Sequence, residues 1–324
     1  SSWNVATTTL SGDVNSAVTA GSSRTISWDA GTDFGNQENN TMRMKLRATD
    51  RYDNVGSYVE SANFSVDTKA PAVSSVSASQ TAGTTNIVIN YTLSDFTAGG
   101  NFVNLEISDD GGTTWTVPTT TVSGNVGSGQ SAGVKTIAWS AGTDFSGQAK
   151  SNMKVKVQAR DYYGNQGSYS QSTNFALDTV GPTVNSVAAV QSASSTLVTV
   201  NYNLSDTATV SLNVNLEISD DGGTTWTVPT TTVSGNVGSG QSAGVKTIAW
   251  SAGTDFGNQE NSNMRVRIKA TDSFGNVGSY FSSSDFIVDT KAPAGLTSLI
   301  KFSSVTSSVT LTWSSGISDT HFNH

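Results

Sequence analysis

Apolar and polar residues alternate along most of this chain, and a period of two predicts β-strands whose two faces differ. Between residues 70 and 180, the clearest alternating segments are 86–93, 103–107, 134–139, 153–159 and the closing 175–177. Adding the segment after Pro71 and the one after Trp115 gives seven predicted strands. No segment shows the apolar stripe of a helix.

Turn sequences separate these segments, namely "DDGG", "SGNVGSGQSAG" and "YYGN". Seven short strands in about a hundred residues are typical of an immunoglobulin-like or fibronectin-III-like sandwich. The pattern therefore predicts an all-β fold of tandem seven-stranded β-sandwiches arranged in a rod. Within each sandwich, Trp139 and Trp250 share the inward parity of Ile137 and Ile248, which predicts core positions.

The whole pattern recurs at a constant spacing, equal to the distance along the chain from Trp115 to Trp226. Residues 103–145 are identical to residues 214–256. This period is the size of one sandwich domain and far too long for a propeller blade. The sequence predicts complete repeats at 70–180 and 181–291. It also predicts the C-terminal half of a repeat at 1–69 and the N-terminal part of another at 292–324.

Both chain ends therefore fall inside predicted domains. We expect the sequence to be a window from a longer array of repeats. The alternative is that the half-domains complete one another between chains.

Composition narrows the classes of function. The chain of 324 residues carries 25 acidic and 17 basic residues, and its net charge of -8 argues against nucleic acid and anionic membranes as partners. The absence of cysteine excludes disulfides and thiolate chemistry. No apolar run reaches the length of a membrane span. Only 13% of the residues are charged, which is usual for secreted microbial β-proteins.

Several segments resemble known repeats. "ATDSFGNVGSY" with "DFIVDTKAP" resembles the closing strands of bacterial Ig-like repeats in large surface proteins. "SDDGGTTWTVP" with "KTIAWSAGTDF" resembles a fibronectin-III-like repeat of secreted microbial proteins. The resemblance covers nearly the whole chain and implies an extracellular or cell-surface stalk, adhesin or assembly.

One motif raises the question of sugar chemistry. Ser108, Asp110, Gly112, Thr114 and Trp115 have the spacing of the Asp-box of sialidases and related proteins. The box itself needs no substrate, because its Asp can accept hydrogen bonds from the N–H groups of its own turn. Since the propeller period is absent, we interpret the box as a structural turn. The alternative is sugar binding by the neighbouring Asp109 or Asp220.

Nothing in the repeats indicates an enzyme. The two histidines, His321 and His324, lie at the chain end, so no Ser–His nucleophile is available in the repeats. Glu106 and Glu217 lie one per repeat, which does not make the paired carboxylates of a glycosidase. No glycine-rich loop precedes a helix. We therefore expect no catalytic activity.

Basic residues alternate along the sixth predicted strand of each repeat. They are Arg43, Lys45, Arg47, Lys154, Lys156, Arg265, Arg267 and Lys269. One hypothesis is a polyanion-binding stripe. The favoured interpretation is a solvated sheet face whose cations pair with acids on the neighbouring strand, and it predicts that Glu106 faces Lys156.

The most specific hypothesis is a metal site at each repeat junction. In a sandwich, the loops after the second and sixth strands lie at the pole where the chain enters, and the preceding repeat ends there. The carboxylates predicted to gather are Asp67, Asp95 and Asp161 at one junction, and Asp178, Asp206 and Asp272 at the next. Asp289 and Asp319 begin a third set. All-oxygen ligands favour Ca²⁺. The alternative is that each Asp caps its own turn.

Three functions remain open from the sequence. The favoured one is an extracellular structural or adhesive repeat region that forms a stalk, filament or surface-layer-type assembly. Its partners would be copies of itself, other surface or matrix components, or glycans. The first alternative is a carbohydrate-binding accessory array of a secreted enzyme. The second is a filament subunit that polymerises by strand complementation between its half-domains.

Overall fold

The computed structural model describes residues 3–15, 18–96, 100–207, 211–295, 299–305 and 308–313. The chain forms two compact units, one of residues 1–80, 86–145 and 150–177, the other of 81–85, 146–149 and 178–324. The fold is all-β and consists of antiparallel sheets, as the alternating pattern predicts. In the described residues, no helix has the length and apolar character needed to cross a membrane.

The segment 1–69 contains short strands in pairs. The elements are β1 (Leu10–Gly12), β2 (Ile26–Trp28), α1 (Ala30–Asp33), β3 (Glu38–Met42), β4 (Lys45–Leu46), β5 (Val59–Glu60) and β6 (Phe64–Asp67). Strand β1 pairs with β2, β3 with β6, and β4 with β5.

The strands between residues 70 and 180 form two sheets with a shared apolar core. Its elements are β7 (Ala72–Gln80), β8 (Asn86–Ser94), β9 (Asn101–Ser108), β10 (Val122–Gly124), β11 (Gly127–Gln130), β12 (Gly133–Ser140), α2 (Ala141–Asp144), β13 (Ala149–Arg160), β14 (Ser170–Gln171) and β15 (Phe175–Asp178). One sheet has the order β10-β12-β8-β7. The other has the order β11-β9-β13-β14, with β15 also paired to β13.

Residues 181–291 repeat this arrangement. The elements are β16 (Thr183–Gln191), β17 (Leu197–Ser205), β18 (Leu212–Ser219), β19 (Val233–Gly235), β20 (Gly238–Gln241), β21 (Gly244–Ser251), α3 (Ala252–Asp255), β22 (Glu260–Thr271), β23 (Phe281–Ser282) and β24 (Phe286–Asp289). The sheet orders are β16-β17-β21-β19 and β20-β18-β22-β23, with β24 paired to β22. A last pair, β25 (Leu299–Val305) and β26 (Ser308–Trp313), follows.

The structure has more strands per repeat than the seven predicted. The segment after Trp115 divides into β10 and β11, which pair with different sheets. Gly124, at the division, has a φ of 88°, and a Cβ there would lie 2.7 Å from the carbonyl oxygen of Thr136. Glycine is therefore required where the chain crosses between the sheets. A brief strand such as β14 is too short to show a period of two.

The inward parity of the tryptophans is confirmed. Trp139 and Trp250 are fully buried, and each lies in the apolar core between the two sheets of its repeat. The indole N–H of Trp139 donates to Asp144 Oδ2 at 3.0 Å, and that of Trp250 donates to Asp255 at 3.0 Å. The accepting aspartates end α2 and α3, single helical turns that the alternating pattern does not indicate.

The predicted pairing of Glu106 with Lys156 is confirmed. These residues are directly opposite on β9 and β13, and Lys156 Nζ lies 2.8 Å from Glu106 Oε2. In the next repeat, Arg267 makes the equivalent ion pair with Glu217. The basic residues of the sixth predicted strand thus include two that pair with acids on the adjacent strand.

Candidate metal centre

The structure brings together the three carboxylates expected at the first junction. Asp67 ends β6, Asp95 follows β8 and Asp161 follows β13. One carboxylate oxygen from each residue can be chosen so that all three lie within 4.8 Å of one another. Residues that are far apart in the chain therefore converge on one point, as the strand directions predict.

The same geometry occurs once more in the other compact unit. Asp178 ends β15, Asp206 follows β17 and Asp272 follows β22. Their carboxylate oxygens also lie within 4.8 Å of one another. For the third set, Asp289 ends β24, and Asp319 lies outside the described residues. The structure thus places all six predicted aspartates in two groups of three, while metal binding by these groups stays a prediction.

A short turn after the long strand of each repeat fixes one of these aspartates. Asp161 Oδ1 accepts from the backbone N–H of Asn165 at 2.9 Å, and its Oδ2 accepts from the Asn165 amide at 2.7 Å. The same amide donates to the backbone carbonyl of Asp67 at 3.2 Å. Asn165 therefore holds the incoming strand against the turn that carries Asp161.

Asn276 has the same role in the second group. Its amide donates to Asp272 Oδ2 at 2.7 Å and to the backbone carbonyl of Asp178 at 3.2 Å. Our sequence analysis missed these two asparagines. Their signal is the spacing of Asp and Asn in "DYYGN" and "DSFGN", which places the amide one turn after the carboxylate.

Asp95 and Asp206 differ from their neighbours. Both carboxylate oxygens of each residue are buried, and none of the four accepts a hydrogen bond from the part of the chain that the structure describes. A buried carboxylate without a donor is costly, since its charge is neither solvated nor paired. These two side chains are the strongest local indication that an additional group belongs at each centre.

The pKa values of Asp95 and Asp206 are both raised, which shows that their surroundings disfavour the charged carboxylate. Burial raises the pKa of Asp206 to about 6, and the charges of Asp178 and Asp272 add to this rise. Burial also raises the pKa of Asp95, and the charges of Asp67 and Asp161 contribute. The Asn101 side chain offsets part of this second rise without reaching hydrogen-bond geometry. A bound cation would reverse the effect of burial and of the neighbouring charges.

The alternative of simple turn capping accounts for part of each group. Asp67 accepts from the backbone N–H of Lys69 at 3.0 Å, and Asp178 accepts from that of Val180 at 2.8 Å. Asp161 and Asp272 cap their own turns. Turn capping leaves Asp95 and Asp206 unexplained, because their oxygens have no hydrogen-bond partner among the residues that the structure describes. A carboxylate has about four acceptor positions, so a capping aspartate keeps capacity for a metal.

The chemistry of the two groups fits Ca²⁺. Each offers three carboxylates and only oxygen ligands, which hard cations prefer. Two oxygens that bind one Ca²⁺ at about 2.3–2.6 Å are at most about 5.2 Å apart. The 4.8 Å limit lies within that range. Among the described residues, no ion pair involves Asp95, Asp161, Asp206 or Asp272.

The turn at Ser108–Trp115 is a separate structural feature. Asp110 Oδ1 accepts from the backbone N–H groups of Thr113 and Thr114, both at 2.9 Å, and Oδ2 accepts from the Thr114 hydroxyl at 2.7 Å. These bonds hold the pKa of Asp110 well below its usual range. The predicted hydrogen bonding within the turn is therefore confirmed. The neighbouring Asp109 forms an ion pair with Lys150 at 2.8 Å.

Cations cover the aromatic rings beside this turn. Lys156 Nζ lies 4.5 Å from the centre of the Trp115 ring and 4.3 Å from that of Tyr169. In the next repeat, Arg267 lies 4.4 Å from Trp226 and 4.0 Å from Tyr280. A sugar platform needs a free ring face, and one face of each of these rings is occupied by a cation.

No family model matches this sequence, and no curated protein matches it. Among solved structures, the chain is similar to a chimeric titin Z1Z2 functionalised with a KLER exogenous peptide from decorin. That similarity has 14% identity and a TM-score of 0.27, and covers 68% of this chain and 97% of that one. It is also similar to the sialic acid binding region of a Streptococcus sanguinis SK1 adhesin bound to 3'sLn. Here the identity is 10% and the TM-score 0.22, over 68% of this chain and 78% of that one. These values are too low for either similarity to bear on function.

Proposed function

We propose that this chain is a structural repeat region of a secreted or cell-surface protein, and that each repeat junction binds Ca²⁺. The observation that carries the proposal is the pair of three-carboxylate centres, in which the buried oxygens of Asp95 and Asp206 have no hydrogen-bond donor within the described ranges. Each centre joins the aspartate that ends the closing strand of one repeat to two loops of the next. A shared cation would therefore fix the closing strand of one repeat to the body of its successor.

The repetition of one kind of acidic centre supports a structural function. In the described residues, the groups of three or more metal-binding side chains are these two centres. The repeats are identical over residues 103–145 and 214–256. Duplication of whole modules suits multivalent or mechanical use better than a single active site. Location outside the cell is part of the proposal, because Ca²⁺ is abundant there and the composition is typical of secreted β-proteins.

Thermal unfolding with and without calcium tests the proposal. A ligand that binds only the folded state stabilises it by about 2.7 kcal/mol when its concentration is 100 times the dissociation constant. We expect the melting temperature to rise in millimolar Ca²⁺ and to return in EGTA. Mg²⁺ should raise it less, since Mg²⁺ demands a smaller octahedral site. Calorimetric titration should detect one site for each of the two described centres.

The double variant Asp95→Asn, Asp206→Asn provides the sharpest test. Among the described residues, neither side chain has a hydrogen-bond partner, so the substitution removes no described hydrogen bond. In EGTA it should raise the melting temperature, because it removes two buried charges from acidic centres. In Ca²⁺ the same variant should melt below the unmodified protein, because each centre has lost a charged ligand. The sign of the effect therefore reverses with calcium.

Asp50→Asn is the matched control. Asp50 caps a turn of the same kind, with Asn54 donating to Oδ1 at 3.0 Å and to Oδ2 at 2.8 Å. Asp50 belongs to neither acidic group, so its substitution should have the same effect in EGTA and in Ca²⁺. The calcium proposal is wrong if the double variant behaves like Asp50→Asn, that is, if it changes the melting temperature by the same amount in Ca²⁺ and in EGTA.

A further inference from the structure

A buried asparagine lies beside the first acidic centre. Asn101 is the first residue of β9, and it is only 1% exposed. Its Nδ2 donates to the backbone carbonyl of Gln130 at 3.3 Å, which decides which end of the amide carries the oxygen. Its Oδ1 is buried and has no hydrogen-bond partner among the described residues. A buried acceptor without a donor is costly and therefore needs an explanation.

The position of Asn101 relative to Asp95 supplies one. Asp95 directly follows β8 and Asn101 begins β9, so the two residues stand at either end of the connection between these strands. Burial raises the pKa of Asp95, and the Asn101 side chain offsets part of that rise because its amide lies close to the carboxyl. Both oxygens of Asp95 also lack a partner in the part of the chain that the structure describes. One cation would satisfy all three of these buried acceptor atoms.

The second repeat shows that packing does not require asparagine at this position. Leu212 is the counterpart of Asn101, since each begins its strand and pairs with the equivalent glutamine, Gln130 or Gln241. Leu212 is also 1% exposed and belongs to the apolar core of its repeat. Leucine therefore fits where asparagine stands one repeat earlier. The amide places a polar group in the core at a cost that leucine avoids.

We propose that Asn101 Oδ1 is a fourth protein ligand at the first centre, so that this centre binds Ca²⁺ more tightly than the second. The inference rests on the proposed function, because it assigns a ligand to the same calcium site. Side-chain amide oxygens are ordinary ligands of Ca²⁺, and the ligand set determines its affinity. The junction at Asp95 therefore fills at a lower calcium concentration than the junction at Asp206.

Calorimetric titration of single-centre variants of the full chain tests the difference. Asp206→Asn removes a charged ligand from the second centre, so its titration reports chiefly the first, and Asp95→Asn does the reverse. We expect the first centre to bind Ca²⁺ about tenfold more tightly. In the Asp206→Asn background, Asn101→Leu should remove this advantage. Leucine occupies the equivalent position in the second repeat, and melting in EGTA checks that the variant is folded.

The matched control is Asn104→Leu in the same background. Asn104 lies on the opposite face of β9, where its amide donates to Glu106 and Tyr169, away from the acidic centre. This variant should leave the calcium affinity unchanged. The direction of the Asn101→Leu effect also distinguishes a ligand from a hydrogen-bond donor. A donor to Asp95 would compete with the cation, so its removal would leave the affinity unchanged or raise it.

Terbium luminescence provides a second measurement on the same variants. Tb³⁺ serves as the probe for the calcium site, and its lifetimes in H₂O and D₂O count the water molecules bound to the metal. In the Asp206→Asn background, Asn101→Leu should add about one bound water, because water takes the place of a lost oxygen ligand. Asn104→Leu should add none.

The possible results separate this inference from the proposed function. Equal affinities of the two centres would overturn the inference and leave calcium binding intact. The same holds if Asn101→Leu does not lower the affinity of the first centre, or does not add a bound water. Absence of calcium binding at both centres would overturn the inference together with the proposed function.

Discussion

The buried tryptophan of each repeat shows how a single residue combines two structural roles. The Trp139 indole fills the space between the sheets, and its N–H donates to Asp144. That carboxylate also accepts from the backbone N–H of Thr121 at 3.0 Å. The donor of a fully buried side chain is thereby satisfied, which burial of tryptophan requires.

We expect Trp139→Ala to lower the free energy of unfolding by about 3–5 kcal/mol, as large aromatic truncations in a core do. Trp139→Phe keeps most of the apolar volume but loses the hydrogen bond to Asp144, so its loss should be smaller. Urea unfolding of both variants measures the difference. A loss below about 1 kcal/mol for Trp139→Ala would place the indole outside the cooperative core.

Asp110 and Asp221 give the Ser-x-Asp turns a dependence on pH. Hydrogen bonds from Thr225 and Ser219 lower the pKa of Asp221 to about 2, and Asp110 is shifted in the same direction. A carboxyl whose pKa is lowered by folding stabilises the protein above its unfolded pKa, and this contribution is lost as pH falls through the folded value.

The double variant Asp110→Asn, Asp221→Asn should therefore melt below the unmodified protein at pH 5. The gap between their melting temperatures should narrow as the pH falls from about 4 to about 2. Melting curves recorded across this range measure it. A gap that stays constant over the whole range would show that the two carboxylates do not titrate with folding.

At the scale of adjacent strands, β9 and β13 pair in a register that places a charged pair directly opposite. Glu106 lies opposite Lys156, and the hydroxyl of Tyr169 donates to the same carboxylate. Lys156 also contacts the rings of Trp115 and Tyr169. A slip of one residue would turn every apolar side chain of β13 to the solvent face, so the pair supports a register that the core already demands.

A double-mutant cycle with Glu106→Gln and Lys156→Met should give a coupling energy of about 0.2–1 kcal/mol, the range for a partly exposed cross-strand pair. Added salt should reduce it. The equivalent cycle with Glu217→Gln and Arg267→Met is the matched comparison within the same chain. A coupling energy near zero in both repeats would show that the ion pairs result from the strand register and do not stabilise the protein.

Over the chain as a whole, acids that are far apart in the sequence meet at two centres. Each centre combines a strand end with loops after two other strands, and the alternating directions of the strands bring these ends together. The charge at these centres opposes folding unless protons or a cation neutralise it. We therefore expect the stability of the protein to depend on pH and on calcium.

In EGTA, we expect the melting temperature to fall as pH rises from about 4 to about 7. The pKa of Asp206 is about 6 in the folded protein, above its ordinary value of 3.8. Between those two values, the folded state binds more protons than the unfolded state, so stability decreases with rising pH. Asp206→Asn should make the melting temperature depend less on pH. Ca²⁺ should raise the melting temperature of the unmodified protein at neutral pH. A steeper decline in the variant than in the unmodified protein would contradict this assignment.

The longer strands, the tandem repeat and the inward parity of Trp139 and Trp250 could be predicted from the amino-acid pattern. These features are local, because a period of two assigns each side chain to a face of its own strand. The predicted convergence of six aspartates also followed from strand order alone. The pattern did not indicate α2 or the division of β10 from β11, since both are too short for a period to register.

Which acids lack partners could be learned only from the folded chain. All six aspartates stand beside turns in the sequence, yet in the part of the chain that the structure describes only Asp95 and Asp206 have both oxygens buried without a hydrogen-bond partner. Likewise, Met44 and Val155 have the same parity in their strands, yet Met44 is 39% exposed and Val155 is fully buried. Burial and hydrogen bonding depend on which distant segments pack together, and this information is not carried by any single stretch of residues.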